Sequence, residues 1–179
     1  MPTIKKIEAF GCGSFVWDTD ENTPCIRQHA LALCLRDHFE EKQGHKVQLF
    51  AQDPDYRRID RQILKGKIAG FKILEDPWGF IEVDEETLVI SIAPTAPIRQ
   101  IVADIARPAM MIWCPVFKPD DPDTAQINPQ VPESKCDPST PRLRELLKGH
   151  REHRLTKDPD DFLYAALYIR KPAAGVKGE

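Results

Sequence analysis

The chain has 179 residues, a length that suits one domain with a buried core. Hydrophobic residues make up 41% and charged residues 30%, which excludes a disordered chain. A formal net charge of -3 excludes a general nucleic-acid sponge while still allowing separate basic fields.

Ile4 to Phe10 mixes β-branched and aromatic residues and stops at Gly11, the pattern of a first strand. Thr23 and Pro24 fit an N-cap and a first helical position, opening a helix that Gly44 ends. Lys46 to Ala51 reads as a second strand, closed by Gln52-Asp53-Pro54, and a short basic helix follows from Tyr56 to about Leu64. Phe71 to Leu74 and Gly79 to Val83 flank Asp76-Pro77-Trp78 and read as a hairpin, or a strand with an extension. Thr87 to Ile92 is almost wholly apolar, as a central strand buried on both faces should be. Pro97 begins the next helix, and Pro108 to Val116 is another buried strand.

Residues 117 to 141, rich in Pro and Asp, read as a long irregular loop. A helix is expected from about Pro141 to Arg154, and a last strand within Asp161 to Arg170. The alternation predicts a single α/β domain with a Rossmann-like, doubly wound, mostly parallel sheet flanked by helices. Its expected parts are an α/β core over 1–116, the loop over 117–141, a helix and final strand over 142–170 and a polar tail over 171–179.

Cys12, Cys25, Cys34, Cys114 and Cys136 are odd in number, include no C-x-x-C pair and follow no leader-like segment. Reduced thiols in the cytoplasm or nucleus are expected. No apolar run nears the roughly 18 to 20 residues that span a bilayer, so no membrane partner is expected.

In doubly wound sheets, ligands sit beyond the carboxyl ends of the strands. Those ends carry Gly11-Cys12-Gly13-Ser14, Asp53-Pro54-Asp55-Tyr56, and Pro94-Thr95-Ala96-Pro97 followed by Arg99 and Gln100. The first turn lacks the third glycine of a dinucleotide fingerprint, whose place Val16 takes, so no nicotinamide site is expected. Trp17, Trp78, Trp113 and Cys114 are candidates for apolar walls, although Trp113 suits the core better. Cys25 with His29, and Cys34 with His38, are spaced for two metal ligands each, but nothing completes either set, and neither a metal nor another cofactor is expected. Arg57, Arg61 and Lys65 recur at helical spacing, a candidate phosphate-backbone contact, and Arg144, Lys148 and Arg151 repeat the arrangement beside Arg142 and Arg154 on the late helix.

The order and spacing of several short motifs resemble the Sensitivity-to-Red-Light-Reduced-like (SRR-like) domain family. They are Gly11 to Ser14, a helix with Gln28 and Leu31, Phe50 to Tyr56, Gly70 to Leu74, Gly79-Phe80 and Thr87 to Ser91. The stretch Pro94-Thr95-Ala96-Pro97 to Asp104, with Pro108-Ala109, looks like the short fungal branch. The resemblance spans roughly residues 5 to 116. It implies an α/β domain without a settled activity, in a family tied to light signalling and the clock in plants and to haem metabolism in animals. The plant and animal members carry a histidine between prolines where this chain has Thr95, so a haem or metal role is not carried over.

Two functions follow as expectations. One is a binding or regulatory domain, with a small molecule or a protein as partner, using Gly11, Cys12, Gly13, Ser14, Asp53, Pro94, Thr95 and Gln100. The other rests on a layout similar to cyclodipeptide synthases. There Ser14 is the nucleophile that takes an aminoacyl group from transfer RNA, Tyr56 is its catalytic neighbour, and Arg57, Arg61 and Lys65 hold the RNA.

Overall fold

The computed structural model describes residues 1–17, 24–67, 69–118, 136–156 and 164–172. Seven strands form one sheet in the order β3-β2-β1-β4-β5-β7-β6. In chain order the elements are β1 (Lys6–Phe10), α1 (Pro24–Gln43), β2 (Gln48–Gln52), α2 (Arg58–Leu64), β3 (Lys72–Ile73), α3 (Trp78–Glu82), β4 (Thr87–Ser91), α4 (Ile98–Ile105), β5 (Met110–Trp113), α5 (Pro141–Lys148), β6 (His150–Arg154) and β7 (Ala166–Arg170). Strands β1 to β5 pair in parallel, and β7 runs antiparallel to both β5 and β6. The sheet is therefore mixed.

Strand alternation divides the core into two. Ile7 and Ala9, with Leu49, Ala51, Leu88 and Ile90, pack in one cluster with Ala32 and Phe39 of α1 and Leu64 of α2. Phe10, Val89, Met111 and Trp113 pack in the other with Phe80 of α3, Val102 of α4, and Leu143 and Leu146 of α5. Phe80 stacks on Phe10 at 4.6 Å between ring centroids, a geometry worth about 1 kcal/mol beyond its area burial.

Two expected elements are corrected. Residues 71–83 are not a hairpin: β3 joins the parallel sheet beside β2, and Trp78–Glu82 is a helical turn. A side chain at Gly79 would collide with Gln52 and Glu8, at 2.6 and 2.9 Å, so its glycine lets α3 settle on the sheet. The late helix stops at Lys148, and His150–Arg154 is an edge strand paired with β7. Arg151 and Arg154 therefore do not continue a helical stripe from Arg144 and Lys148. At its start, the Thr140 hydroxyl caps the helix by accepting from the Leu143 N–H. Most of the expected 117–141 loop and of the polar tail lies outside the described residues, as does Thr23.

Candidate functional site

The turn after β1 is built by two glycines in the left-handed region, Gly11 at φ 64 and Gly13 at φ 80. Both also face close neighbours. A Cβ on Gly11 would lie 3.0 Å from the Pro94 Cβ, and one on Gly13 would lie 2.7 Å from the Cys25 Sγ. Asp53, leaving β2, holds the turn: its Oδ2 accepts from the Gly13 N–H at 2.7 Å and its Oδ1 from the Asp55 N–H at 2.8 Å. Each oxygen keeps a second lone pair.

Ser14 is buried, and its hydroxyl donates to Asp60 Oδ2 at 2.8 Å. Asp60 also accepts from the backbone N–H groups of Phe15 and Arg57, at 2.9 and 2.6 Å. Burial pushes its pKa up, but the bonds from Ser14, Arg57 and Phe15 outweigh it and hold the carboxyl below its ordinary value. Asp60 was not among the residues selected from sequence. Its one local signal is an acid at the third position of a helix, able to reach back to the cap.

The Tyr56 hydroxyl lies 2.7 Å from His29 Nε2, while the Ser14 hydroxyl is bonded to Asp60. The His29 Nδ1 lies 2.6 Å from the Cys25 carbonyl, which can only accept, so Nδ1 carries the proton and Nε2 accepts from Tyr56. Phe15, at 4.8 Å, and Phe71, at 5.8 Å, enclose the ring. Burial lowers the His29 pKa and raises those of Tyr56 and the buried thiol of Cys12, so all three are neutral near pH 7. His29 thus spends both nitrogens on the protein. Among the described residues no group of three or more His, Cys, Asp or Glu side chains could hold a metal ion.

At the exit of β4, Ala93 is held at φ 58, an uncommon conformation for a residue with a Cβ. Pro94 is buried against Gly11, while Ala93 and Thr95 are exposed. Gln100 donates to Asp137 Oδ1 and the Pro138 carbonyl and accepts from the Thr140 hydroxyl. Beside it, the buried Arg99 and Asp137 form an ion pair at 3.1 Å. The Arg99 backbone N–H also donates to Asp137, and its Nη1 reaches the Cys114 carbonyl. Asp137 was also missed in the sequence.

On the face covered by α3, α4 and α5, four buried polar atoms have no hydrogen-bond partner among the described residues: both oxygens of Glu8, Ser91 Oγ and Trp113 Nε1. Ser91 and Trp113 are register partners at the carboxyl ends of β4 and β5. Trp113 is core, Trp78 is exposed on α3, and the Trp17 side chain lies outside the described residues.

The early basic stripe is partly committed. Arg57 precedes α2 as its cap residue, Arg61 pairs with Glu75 at 2.5 Å, and Lys65 is exposed. In the late group, Arg144 donates to the Phe117 and Ser139 carbonyls, and Lys148 pairs with Glu145. No helix of the described residues is long and apolar enough to cross a membrane.

The family model described as the SRR1 domain matches residues 1–164. No curated protein matches the chain.

Proposed function

The chain belongs to the SRR1-domain family, and from that premise we propose that it is a binding or regulatory domain that takes a small polar ligand beyond the carboxyl ends of β1, β2 and β4. The strand order supports a Rossmann-like, doubly wound reading: from the central pair β1 and β4, one half of the parallel sheet extends through β2 to β3 and the other to β5. In such sheets the crevice lies where the order reverses, here between the β1 and β4 exits.

The observation that carries the reading is Ala93. Backbone strain of this kind costs of order 1–3 kcal/mol and concentrates at functional sites. Ala93 bears it while exposed, next to Pro94, which rests on Gly11. In this reading Gly11 and Gly13, whose own N–H groups are bonded to Gln52 and Asp53, shape the turn so that the Cys12 and Ser14 N–H groups serve the ligand, and Thr95 supplies a hydroxyl. Asp53 braces the turn and offers its remaining lone pairs, Tyr56 braces the wall behind it, and Gln100 fixes the far side. A thermal-shift screen of nucleotides, organic phosphates and carboxylates tests this reading. It predicts at least one stabilising compound whose effect is lost in Thr95→Val and reduced in Ala93→Gly. A screen with no such compound contradicts it.

The Ser14–Asp60 bond favours a second reading, the aminoacyl transferase. Ser14 Oγ would attack the ester carbonyl of an aminoacyl transfer RNA, passing its proton to Asp60 and on to the departing ribose oxygen. Asp60 here takes the part that the sequence assigned to Tyr56, and Arg57, Arg61 and Lys65 would hold the RNA. Ser14 is only 1% exposed, and a carboxylate held below its ordinary pKa is a weak base, so we favour this reading less. A mass shift on Ser14 after incubation with aminoacyl transfer RNA, absent in Ser14→Ala, would establish it; an unmodified protein would dismiss it.

A further inference from the structure

We infer that the groove at the other end of the sheet, on the face of β6 and β7, binds single-stranded nucleic acid through its phosphates. Arg107, Arg151, Arg170 and Lys171 line it together with His153 and Ile169, and among the described residues Glu85 is the one acid in its wall. The chain as a whole carries a net charge of -3, so this is a local concentration of positive charge.

The cations are held in a way that leaves their charge uncancelled. Arg107 donates to the carbonyls of Ala103 and Ala106, Arg170 to those of Arg107 and Glu85, and Lys171 to that of Lys148. Carbonyl oxygens fix the side chains without neutralising them. The Glu85 carboxylate stands 3.9 Å from Arg170 and is itself 80% exposed. Arg151 is exposed on β6. Guanidinium groups fixed in place with donors to spare match phosphate oxygens well.

Size and orientation select the partner. At about 1170 Å³, the groove stands at the upper end of the roughly 300–1,000 Å³ typical of small-molecule pockets, with room for several linked phosphate groups. Arg151 and Ile169 are register partners, and by alternation His153 and Lys171 share their side of the sheet. The groove thus crosses the sheet face beside the β6 edge, and an acidic peptide lying in it would meet side chains rather than the backbone groups of that edge. Its concave shape also disfavours a flat lipid surface.

The test is fluorescence anisotropy of the full chain with a labelled oligouridylate of about ten nucleotides. Four phosphate contacts at a slope of about −0.7 each predict a roughly fifty-fold loss of affinity between about 50 and 200 mM salt. Arg151→Glu, checked for folding by circular dichroism, should weaken binding at least tenfold, whereas Lys72→Glu on β3, at the opposite edge of the sheet, should change it less than twofold. Absence of binding, indifference to Arg151→Glu, or equal competition by oligoglutamate or by phosphatidylserine vesicles would overturn the proposal.

Discussion

Gly11 and Pro94 meet across the exits of β1 and β4, so close that a Cβ on the glycine would stand 3.0 Å from the proline's. The contact joins the two loops between which the ligand is proposed to bind, and it ties the turn's geometry to its composition. Gly13 is under tighter constraint, with Cys25 Sγ at 2.7 Å from a Cβ position. Gly13→Ala should therefore cost about 1–2 kcal/mol for the left-handed backbone and more for the collision. Gly44→Ala, also at positive φ but with nothing within 4 Å, should lose the backbone part alone. Urea denaturation of both variants checks the difference.

The Arg99–Asp137 pair is buried, and Asp137→Ala would leave a buried guanidinium uncompensated. The expected loss is about 3–5 kcal/mol. The Arg142–Asp104 pair has both side chains 54% exposed, and Asp104→Ala should cost under about 1 kcal/mol. Comparable losses in the two variants would show that Asp137 does not clamp α4.

Glu8 should make the protein less stable as pH rises. Burial chiefly, and Glu82 beside it, raise its carboxyl well above the ordinary value of 4.5. A raised value means that Glu8 is fully compatible with folding below about pH 4.5 and that stability drains as pH rises through the folded value. Glu8→Gln, which keeps the shape without the charge, should flatten that decline. Denaturation midpoints of the two proteins should diverge as pH rises from the ordinary value of 4.5 toward the raised folded one.

Asp60 has the opposite sign. Its folded pKa is depressed, so its contribution is present above the ordinary value of 3.8 and is lost as pH falls through the lower folded one. Asp60→Asn should cost about 1–3 kcal/mol near pH 7, from donors left without a full acceptor set. The gap from the parent should narrow below about pH 4. A gap constant with pH would assign the loss to packing instead.

The parallel half of the sheet was legible because it is written locally. β4 carries the consecutive apolar residues Leu88 to Ile90 and is buried along its whole length, and Gly11 and Gly13 mark a turn that demands glycine. The hairpin expected at 71–83 failed because Gly79 looks like a turn signal, whereas its actual constraint comes from Glu8 and Gln52, far away in sequence. His150–Arg154 carries charges at spacing that mimics a helix, with only His150 buried, and its strand state follows from pairing with β7. At the candidate site, the turn and Asp53 could be read from the strand ends. Asp60 and Asp137 could not, since their partners Ser14 and Arg99 lie 46 and 38 residues away.

Amide chemical-shift mapping by NMR with a compound from the ligand screen tests the central claim most directly. The account predicts perturbations confined to Gly11–Phe15, Asp53–Asp55 and Ala93–Thr95 and abolished by Thr95→Val. Shifts centred on Arg151 and Arg170 instead, with those three loops unmoved, would contradict it.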